Sequence, residues 1–257
     1  KAIEATSFMH PKWIPQLADA DYVASHLPQR AGVVYSALIP NMRGYERARA
    51  ANIEEAVLVV SASESHNRAN LNRSAEESLG QLREVAARAR DDGMPVRGAI
   101  ATAFGCPFEG KVDPEAVLRI VRAYAEMEVQ VVSLADTIGI ANPYQVFTLF
   151  QRARQELPEH ISLAAHFHDR AGYGLANVFA ALQAGVTTFD AAIGGLGGCP
   201  YAPGAPGNLS TETLVEYLEA MGFATGISLT KLAAARVQLM EALARGEPVT
   251  TGHSMRR

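Results

Sequence analysis

Short apolar runs alternate with amphipathic stretches along most of the chain, and this rhythm constrains the fold more than any other feature. The apolar runs have the length of buried strands, and the stretches between them have helical spacing. The strand candidates are 2–6, 33–39, 56–61, 96–103, 131–134, 161–166 and 187–192, and the helical stretches include 75–90, 114–127, 143–156 and 174–184. Such alternation favours a parallel sheet, either doubly wound or closed into a barrel.

The number of units favours a barrel that is incomplete at its start. A TIM (β/α)8 barrel needs eight units, and seven can be counted, so we expect the first strand to precede Lys1 and to be missing from this chain. No Gly-x-Gly-x-x-Gly follows the early strands, which disfavours a dinucleotide-binding fold. Two extra helices, 211–221 and 229–244, would cover one flank. The fold class predicted is α/β, as a single barrel domain over residues 1–257.

Composition and charge exclude several classes of function. The chain is 48% hydrophobic and 19% charged, with a net charge of −4 and no Lys/Arg run, so nucleic acid is not expected as a partner. No apolar run reaches the length of a membrane-spanning helix. The two cysteines, Cys106 and Cys199, do not make a disulfide framework, and this predicts a reducing, cytoplasmic location. The sequence begins within a predicted strand, so a mitochondrial location, directed by a leader before Lys1, is the alternative expectation.

Polar side chains stand at the carboxyl ends of several predicted strands, where barrel enzymes place their active sites. His166 and His168 are two positions apart on a strand, so they project to the same side. Two imidazoles together with an amide or carboxylate oxygen suit Mg²⁺, Mn²⁺ or Zn²⁺. A hydrogen-bonded pair of histidines is the alternative. Glu4 and Asp136 occupy comparable positions on other strands, and Asp136 could instead cap a turn.

Residues 194–208 contain six glycines and three prolines, which excludes a regular helix or strand there. The segment carries Cys199 and closes on Asn208. A cysteine on such a loop is expected to be reactive, although a free cysteine is more often a small buried hydrophobe. Cys106 is expected to be structural.

The polar segment 63–72 is long for a connection between a strand and a helix. It includes Arg68 and Asn70, and loops of this kind often contact ligand. A solvated surface loop is the alternative.

Several motifs, in one order along the whole chain, resemble the 3-hydroxy-3-methylglutaryl-CoA (HMG-CoA) lyase family. Within the metal-dependent barrel lyases and synthases, the cysteine-bearing glycine loop is the most specific of them. The motifs are Glu4-Ala5-Thr6-Ser7-Phe8 with Pro11-Lys12-Trp13, Gly105-Cys106-Pro107-Phe108-Glu109-Gly110-Lys111, Asp136-Thr137-Ile138-Gly139, His166-x-His168-Asp169 and the loop 194–208.

The resemblance implies a divalent-metal retro-Claisen cleavage of HMG-CoA to acetyl-CoA and acetoacetate. It implies metal ligation by His166, His168 and Asn208, with Mg²⁺ or Mn²⁺ as the expected ion and Zn²⁺ as an alternative. Cys199 would be the general acid that protonates the enolate.

The resemblance leaves the remaining roles less sharply defined. His166 and Asp136 are both candidates for the base, and Glu4 would orient the groups around the metal. The expected contacts to the acyl-CoA substrate come from Arg170, Gly197, Gly198, Arg68 and Asn70. A homodimer through the terminal helices is expected.

Two departures from the family pattern bear on activity and specificity. The family's Arg-Asp-Gly motif, which supplies a metal-ligand Asp and a catalytic Arg, would lie before Lys1. A chain that truly lacked it would be expected to turn over little and to have an aggregation-prone barrel edge. Arg170-Ala171-Gly172-Tyr173-Gly174 replaces the Thr-Tyr-Gly-Gln-Ala of the best-known members, so a related branched 3-hydroxyacyl-CoA is an alternative substrate. A Claisen-type synthase and a non-catalytic acyl-CoA-binding paralogue are the competing functions.

Overall fold

The computed structural model describes residues 1–12, 14–198 and 207–245. Seven parallel strands form one sheet, and each strand pairs with the next along the chain. They are β1 (Ala2–Ser7), β2 (Val34–Leu38), β3 (Glu55–Ser61), β4 (Val96–Ala101), β5 (Val131–Asp136), β6 (Ser162–Phe167) and β7 (Thr188–Asp190). A doubly wound sheet reverses its strand order, so the sequential order selects the barrel alternative.

The sheet curls strongly, because side chains from strands that are far apart in the order meet on its inner side. Arg97 on β4 and Asp190 on β7 are joined at 2.5 Å. In a flat sheet these two strands would be separated by about 14 Å at the usual spacing of neighbouring strands. No hydrogen-bonded pairing joins β1 to β7 among the described residues, so the curled sheet stays open between them.

Helices follow the strands and cover the outer side of the sheet. They are α1 (Ala20–Ser25), α2 (Met42–Ala50), α3 (Glu64–Leu71), α4 (Ala75–Asp91), α5 (Pro114–Glu126), α6 (Pro143–Glu156), α7 (Gly174–Gln183), α8 (Thr211–Ala220) and α9 (Leu229–Arg245). Local signals explain their starts: Ser74 and Glu77 form a capping box at α4, and Pro114 and Pro143 occupy first-turn positions.

One expectation about a connecting segment needs correction. Residues 63–72 are mostly helix, since α3 begins after the Ser63 cap and ends at Asn72 in a left-handed conformation. The terminal helices also differ from each other. Helix α8 buries Leu214 and Val215, whereas α9 has no buried residue and packs on α8. In the described part of the chain, no helix has both the length and the apolar character needed to cross a membrane.

The hydrophobic core lies between the strands and the helices. Leu58, Ile100 and Leu134 point outward from β3, β4 and β5 and are fully buried. Tyr124 of α5 lies flat against β4, where its hydroxyl donates to the Leu58 carbonyl oxygen at 2.8 Å. A Cβ at Gly98 would stand 2.6 Å from the Tyr124 ring, so this close approach requires glycine.

Candidate active site

The predicted histidine pair lies at the carboxyl end of β6. The Nε2 atoms of His166 and His168 are 3.3 Å apart, and the two rings are inclined by 43°. His168 is buried, while His166 keeps about a third of its side-chain surface (32%) exposed. Both imidazoles therefore direct the same nitrogen toward one point, as the two-residue spacing predicts. The two nitrogens are also within hydrogen-bond distance, which is the arrangement that the alternative to a metal site predicts.

Asn208 is brought to this pair by backbone pairing. An isolated antiparallel bridge joins His168 to Asn208, and the Leu209 amide donates to the Phe167 carbonyl oxygen at 3.0 Å. The Asn208 Nδ2 group donates to the Leu196 carbonyl oxygen at 2.8 Å. Its Oδ1 atom is buried and has no hydrogen-bond partner within the described ranges. A buried amide oxygen without a donor is costly unless something else binds it.

The donor set fits a divalent cation. No cluster of three or more His, Cys, Asp or Glu side chains that could hold a metal ion occurs in residues 1–12, 14–198 and 207–245. The predicted set of two imidazoles and one amide oxygen is a different, mixed nitrogen and oxygen set. The unpartnered Oδ1 of Asn208, next to two converging Nε2 atoms, is the observation that supports it. Such a set leaves room for substrate oxygens and water.

The two stems of the glycine loop are fixed close to the histidines. A Cβ at Gly207 would stand 1.9 Å from the Gly195 carbonyl oxygen, so the stems cross at a distance that only glycine allows. Both carboxylate oxygens of Glu212 accept the Gly194 amide, at 2.9 and 3.1 Å. Gly197 and Gly198 are exposed at the end of the first stem. Cys199, the predicted general acid, lies outside the described residues.

A partly buried ion pair reaches the histidine from the neighbouring strand, and no motif in the sequence indicates it. The Asp190 Oδ2 atom lies 2.5 Å from Arg97 Nη2 and 3.5 Å from His166 Nδ1. Burial alone would raise the pKa of Asp190, but the adjacent His166 and the positive charge of Arg97 hold it at about 2. Asp190 is therefore ionised at neutral pH. Charged residues within short, otherwise apolar strands are the sequence signal that could have identified this pair.

Asp136 is placed at the end of β5, where it organises the following turn. It is fully buried, and its two carboxylate oxygens accept the backbone amides of Ile140 and Ala141 at 3.1 and 2.9 Å. Burial raises the pKa of Asp136, and these amide donors act in the opposite direction. The geometry is that of the turn cap, which was the alternative to an inward-facing base; a role as base stays a prediction.

Glu4 faces His166 and Asp190 from the other side of the curled sheet. Loss of water around its carboxyl group and the negative charge of Asp190 raise the pKa of Glu4, although the side chain retains exposed surface. A carboxyl group in this position is able to influence the histidine electrostatically. Its predicted orienting role stays a prediction.

The other predicted substrate contacts lie around the site. Arg170 is exposed, and its backbone packs against the Asp136 turn, since a Cβ at Gly139 would stand 2.6 Å from the Arg170 nitrogen. Arg68 is an exposed residue of α3 that pairs with Glu64 at 2.8 Å. Asn70 is half-buried on the same helix. The structure thus brings together the histidines and Asn208, and the substrate contacts of Arg170, Arg68 and Asn70 stay predictions.

Cys106 has the packing of a structural residue. Its thiol sulfur lies 2.9 Å from Ser63 Oγ and accepts the backbone amides of Phe108 and Glu109 at 3.3 and 3.4 Å. Its backbone exchanges two hydrogen bonds with Gly110. These contacts close a tight loop after β4.

Comparison with known proteins gives one consistent result. The HMGL-like family model matches residues 1–238. The chain is 46% identical to hydroxymethylglutaryl-CoA lyase YngG of Bacillus subtilis, over 96% of this chain and 82% of the relative. It is 43% identical to hydroxymethylglutaryl-CoA lyase of Pseudomonas mevalonii, over 92% and 78%. A solved HMG-CoA lyase of Acinetobacter baumannii, in complex with coenzyme A and 3-methylmalate, superposes with a TM-score of 0.90 at 39% identity, covering 100% of this chain and 83% of that one.

Proposed function

The chain belongs to the HMGL-like family, and from this we propose that it cleaves 3-hydroxy-3-methylglutaryl-CoA to acetyl-CoA and acetoacetate. It is a carbon–carbon lyase, as are the relatives that share 42–46% of its sequence over most of its length. The observation that carries the proposal is the convergence of His166, His168 and Asn208 at the strand ends of a chain from this family. The synthase and the non-catalytic paralogue are not favoured by any of these relatives.

The family depends on a divalent metal, and we propose Mg²⁺ or Mn²⁺. His166 and His168 would hold it through Nε2, and Asn208 through its buried Oδ1. When bound, such an ion would supply Lewis-acid polarisation of substrate oxygen atoms. The imidazole and amide ligands among the described residues are neutral and do not reduce the positive charge of the ion.

The chain's own groups move the protons. A base removes the proton of the C3 hydroxyl, the C2–C3 bond breaks, and the electron pair passes to the thioester as an enolate while C3 becomes the ketone of acetoacetate. Cys199 then protonates the enolate carbon to give acetyl-CoA. Of the two candidate bases we propose His166, because its side chain is partly exposed while Asp136 is enclosed and accepts two amides. A lone pair on Nε2 that ligates the ion cannot also accept a proton, so His166 acts as the base only when His168 and Asn208 hold the ion without it.

The A. baumannii relative was solved with coenzyme A and 3-methylmalate, which supports an acyl-CoA as the substrate of this chain. We propose that Arg68 and Asn70 contact the coenzyme A portion from α3, and that Gly197 and Gly198 border the acyl group. Arg170 is proposed to influence the choice of C3 substituent. A homodimer and a cytoplasmic location are further proposals, which sedimentation and cell fractionation would test.

The direct test is product analysis with the full natural chain, including any residues that precede Lys1. We expect HMG-CoA to yield acetyl-CoA and acetoacetate in equal amounts, and Cys199→Ser to reduce turnover strongly without loss of folding. Cys106→Ser is the matched control, because the same atom is replaced in a loop away from the histidine pair. Release of neither product would reject the proposal.

A further inference from the structure

A charged network on the inner side of the sheet ends on one nitrogen of His166. Its members come from four neighbouring strands: Arg97 on β4, Ser133 on β5, His166 on β6 and Asp190 on β7. The Asp190 Oδ2 atom accepts from Arg97 Nη2 at 2.5 Å and from Ser133 Oγ at 3.4 Å, and it lies 3.5 Å from His166 Nδ1. Three contacts therefore meet at a single carboxylate oxygen.

This arrangement determines which ring nitrogen of His166 carries the proton. An ionised carboxylate can only accept hydrogen bonds, so a proton is favoured over a lone pair on the ring nitrogen that faces it 3.5 Å away. A neutral imidazole has one N–H group, and a proton on Nδ1 leaves a lone pair on Nε2. Nε2 is also the atom that faces His168 Nε2 at 3.3 Å.

We propose that Asp190 and Arg97 are positioning residues that hold His166 in the Nδ1-protonated form, with the Nε2 lone pair directed into the site. Either role of Nε2, metal ligand or proton acceptor, requires that lone pair. Partners of this kind orient metal-binding histidines and increase their basicity. The inference rests on the proposed function, because that function gives the Nε2 atom its role.

Arg97 acts through Asp190. Its Nη2 group donates to Ser133 Oγ at 3.1 Å as well as to Asp190, so the guanidinium is fixed at two points. Only 13% of the Arg97 side chain is exposed. A buried ion pair adds little to stability on average when compared with apolar residues, so stability alone is a weak reason for this pair. Fixing the position of Oδ2 beneath His166 is the function that we assign to Arg97.

The first test needs no variant at position 190. Nitrogen NMR of the metal-free natural chain distinguishes an imidazole protonated at Nδ1 from one protonated at Nε2, and His166→Gln assigns the ring signals. We expect the proton of His166 on Nδ1. A proton on Nε2 in the otherwise native protein would overturn the proposal.

The second test removes the charge and measures Mn²⁺ binding by electron paramagnetic resonance. Asp190→Asn should abolish the preference for Nδ1 and raise the Kd for Mn²⁺ roughly 10- to 100-fold. Arg97→Gln should act in the same direction, and Arg97→Lys should restore most of the affinity. Asp21→Asn and Arg47→Gln are matched controls, because they break a surface ion pair of 2.6 Å and should leave Mn²⁺ binding unchanged.

A purely structural ion pair gives a different result. Asp190→Asn would then lower the melting temperature but leave the ring proton and the Mn²⁺ affinity as in the wild type, and this would refute the positioning role. If Asp190→Asn does not fold, the comparison of Arg97→Lys with Arg97→Gln decides the question. Failure of the proposed reaction is distinguishable, because the ring proton and the Mn²⁺ affinity are both measured without HMG-CoA.

Discussion

At the residue scale, Asn208 links the proposed metal position to the loop that carries Cys199. Its Oδ1 atom lacks a hydrogen-bond partner in the described part of the chain, and its Nδ2 group holds the Leu196 carbonyl oxygen at 2.8 Å. An amide can do both, whereas a carboxylate cannot donate. The choice of Asn at this position therefore follows from the need for an acceptor on one side and a donor on the other.

Asn208→Asp separates these two roles. We expect Mn²⁺ binding to persist, because an oxygen ligand remains and gains charge, and turnover to fall about tenfold or more with the loss of the loop hydrogen bond. Asn142→Asp is the matched control, since Asp also caps a helix start well. Wild-type turnover in Asn208→Asp would show that the contact to Leu196 does not matter for the reaction.

His66 makes the folded protein sensitive to acid. Burial lowers the pKa of His66 to about 4, against a smaller opposing effect of Glu109, while its Nδ1 lies 2.7 Å from Ser61 Oγ. Between pH 6.5 and 4 the unfolded chain binds a proton here that the folded chain does not. The free energy of unfolding therefore decreases as the pH is lowered. For this one group the decrease is about 2 kcal/mol from pH 7 to pH 5.

Urea unfolding at pH 7 and pH 5 measures this contribution. His66→Gln should remove about 2 kcal/mol of the pH dependence, whatever its effect on absolute stability. His26→Gln changes an exposed histidine and should leave the dependence as in the wild type. An identical pH dependence in His66→Gln and the wild type would mean that His66 does not titrate in this way.

The residues of the site were predictable to different degrees. The two-position spacing places His166 and His168 on one side of a strand, and the family resemblance supplies Asn208. Arg97 and Asp190 are 93 positions apart, and only the curl of the sheet joins them. Asp136 was open to two interpretations, a base that faces the site or a cap of the following turn. Both place the residue at the same strand end, so a sequence pattern does not distinguish them.

At the element scale, the strands and the longer helices follow from apolar periodicity and capping residues. Helix α6 begins and ends where the spacing predicts, and α4 extends one residue further. Helix α3 has the sequence pattern of a loop because it is short and polar, and its only strong start signal is the Ser63 cap. Periodicity is a weak guide in segments of this length.

The contact between α5 and β4 gives a sharp prediction. Gly98→Ala places a Cβ 2.6 Å from the fully buried Tyr124 ring, so either the ring or the strand must move. We expect the free energy of unfolding to fall by about 1–3 kcal/mol, as overpacked cores do. Urea unfolding checks this value.

Gly80→Ala is the matched control for that change. Gly80 is an exposed residue of α4, and a methyl group added there would meet nothing within 4 Å. Alanine at this helix position should stabilise by about 0.5–1 kcal/mol. If Gly98→Ala leaves the free energy of unfolding unchanged, α5 packs less closely on β4 than this distance implies.

At the scale of the whole molecule, seven strands in sequential order place their carboxyl ends on one rim, and the predicted site lies there. The alternation of strands and helices predicts the parallel sheet, but it leaves the doubly wound and barrel forms open. Strand order separates them, and strand order depends on long-range pairing that no local pattern encodes. At the level of sequence, the number of strand–helix units and the lack of a Gly-x-Gly-x-x-Gly after the early strands favour the barrel.

We infer that the centre formed by His166, His168 and Asn208 binds a divalent metal and that the cleavage of HMG-CoA depends on it. The most direct test is acetoacetate release by the full natural chain after chelation, and again after addition of Mg²⁺ or Mn²⁺. We expect loss of release on chelation and its return with either ion. Undiminished release by the chelated protein, or no release with either ion present, would contradict it.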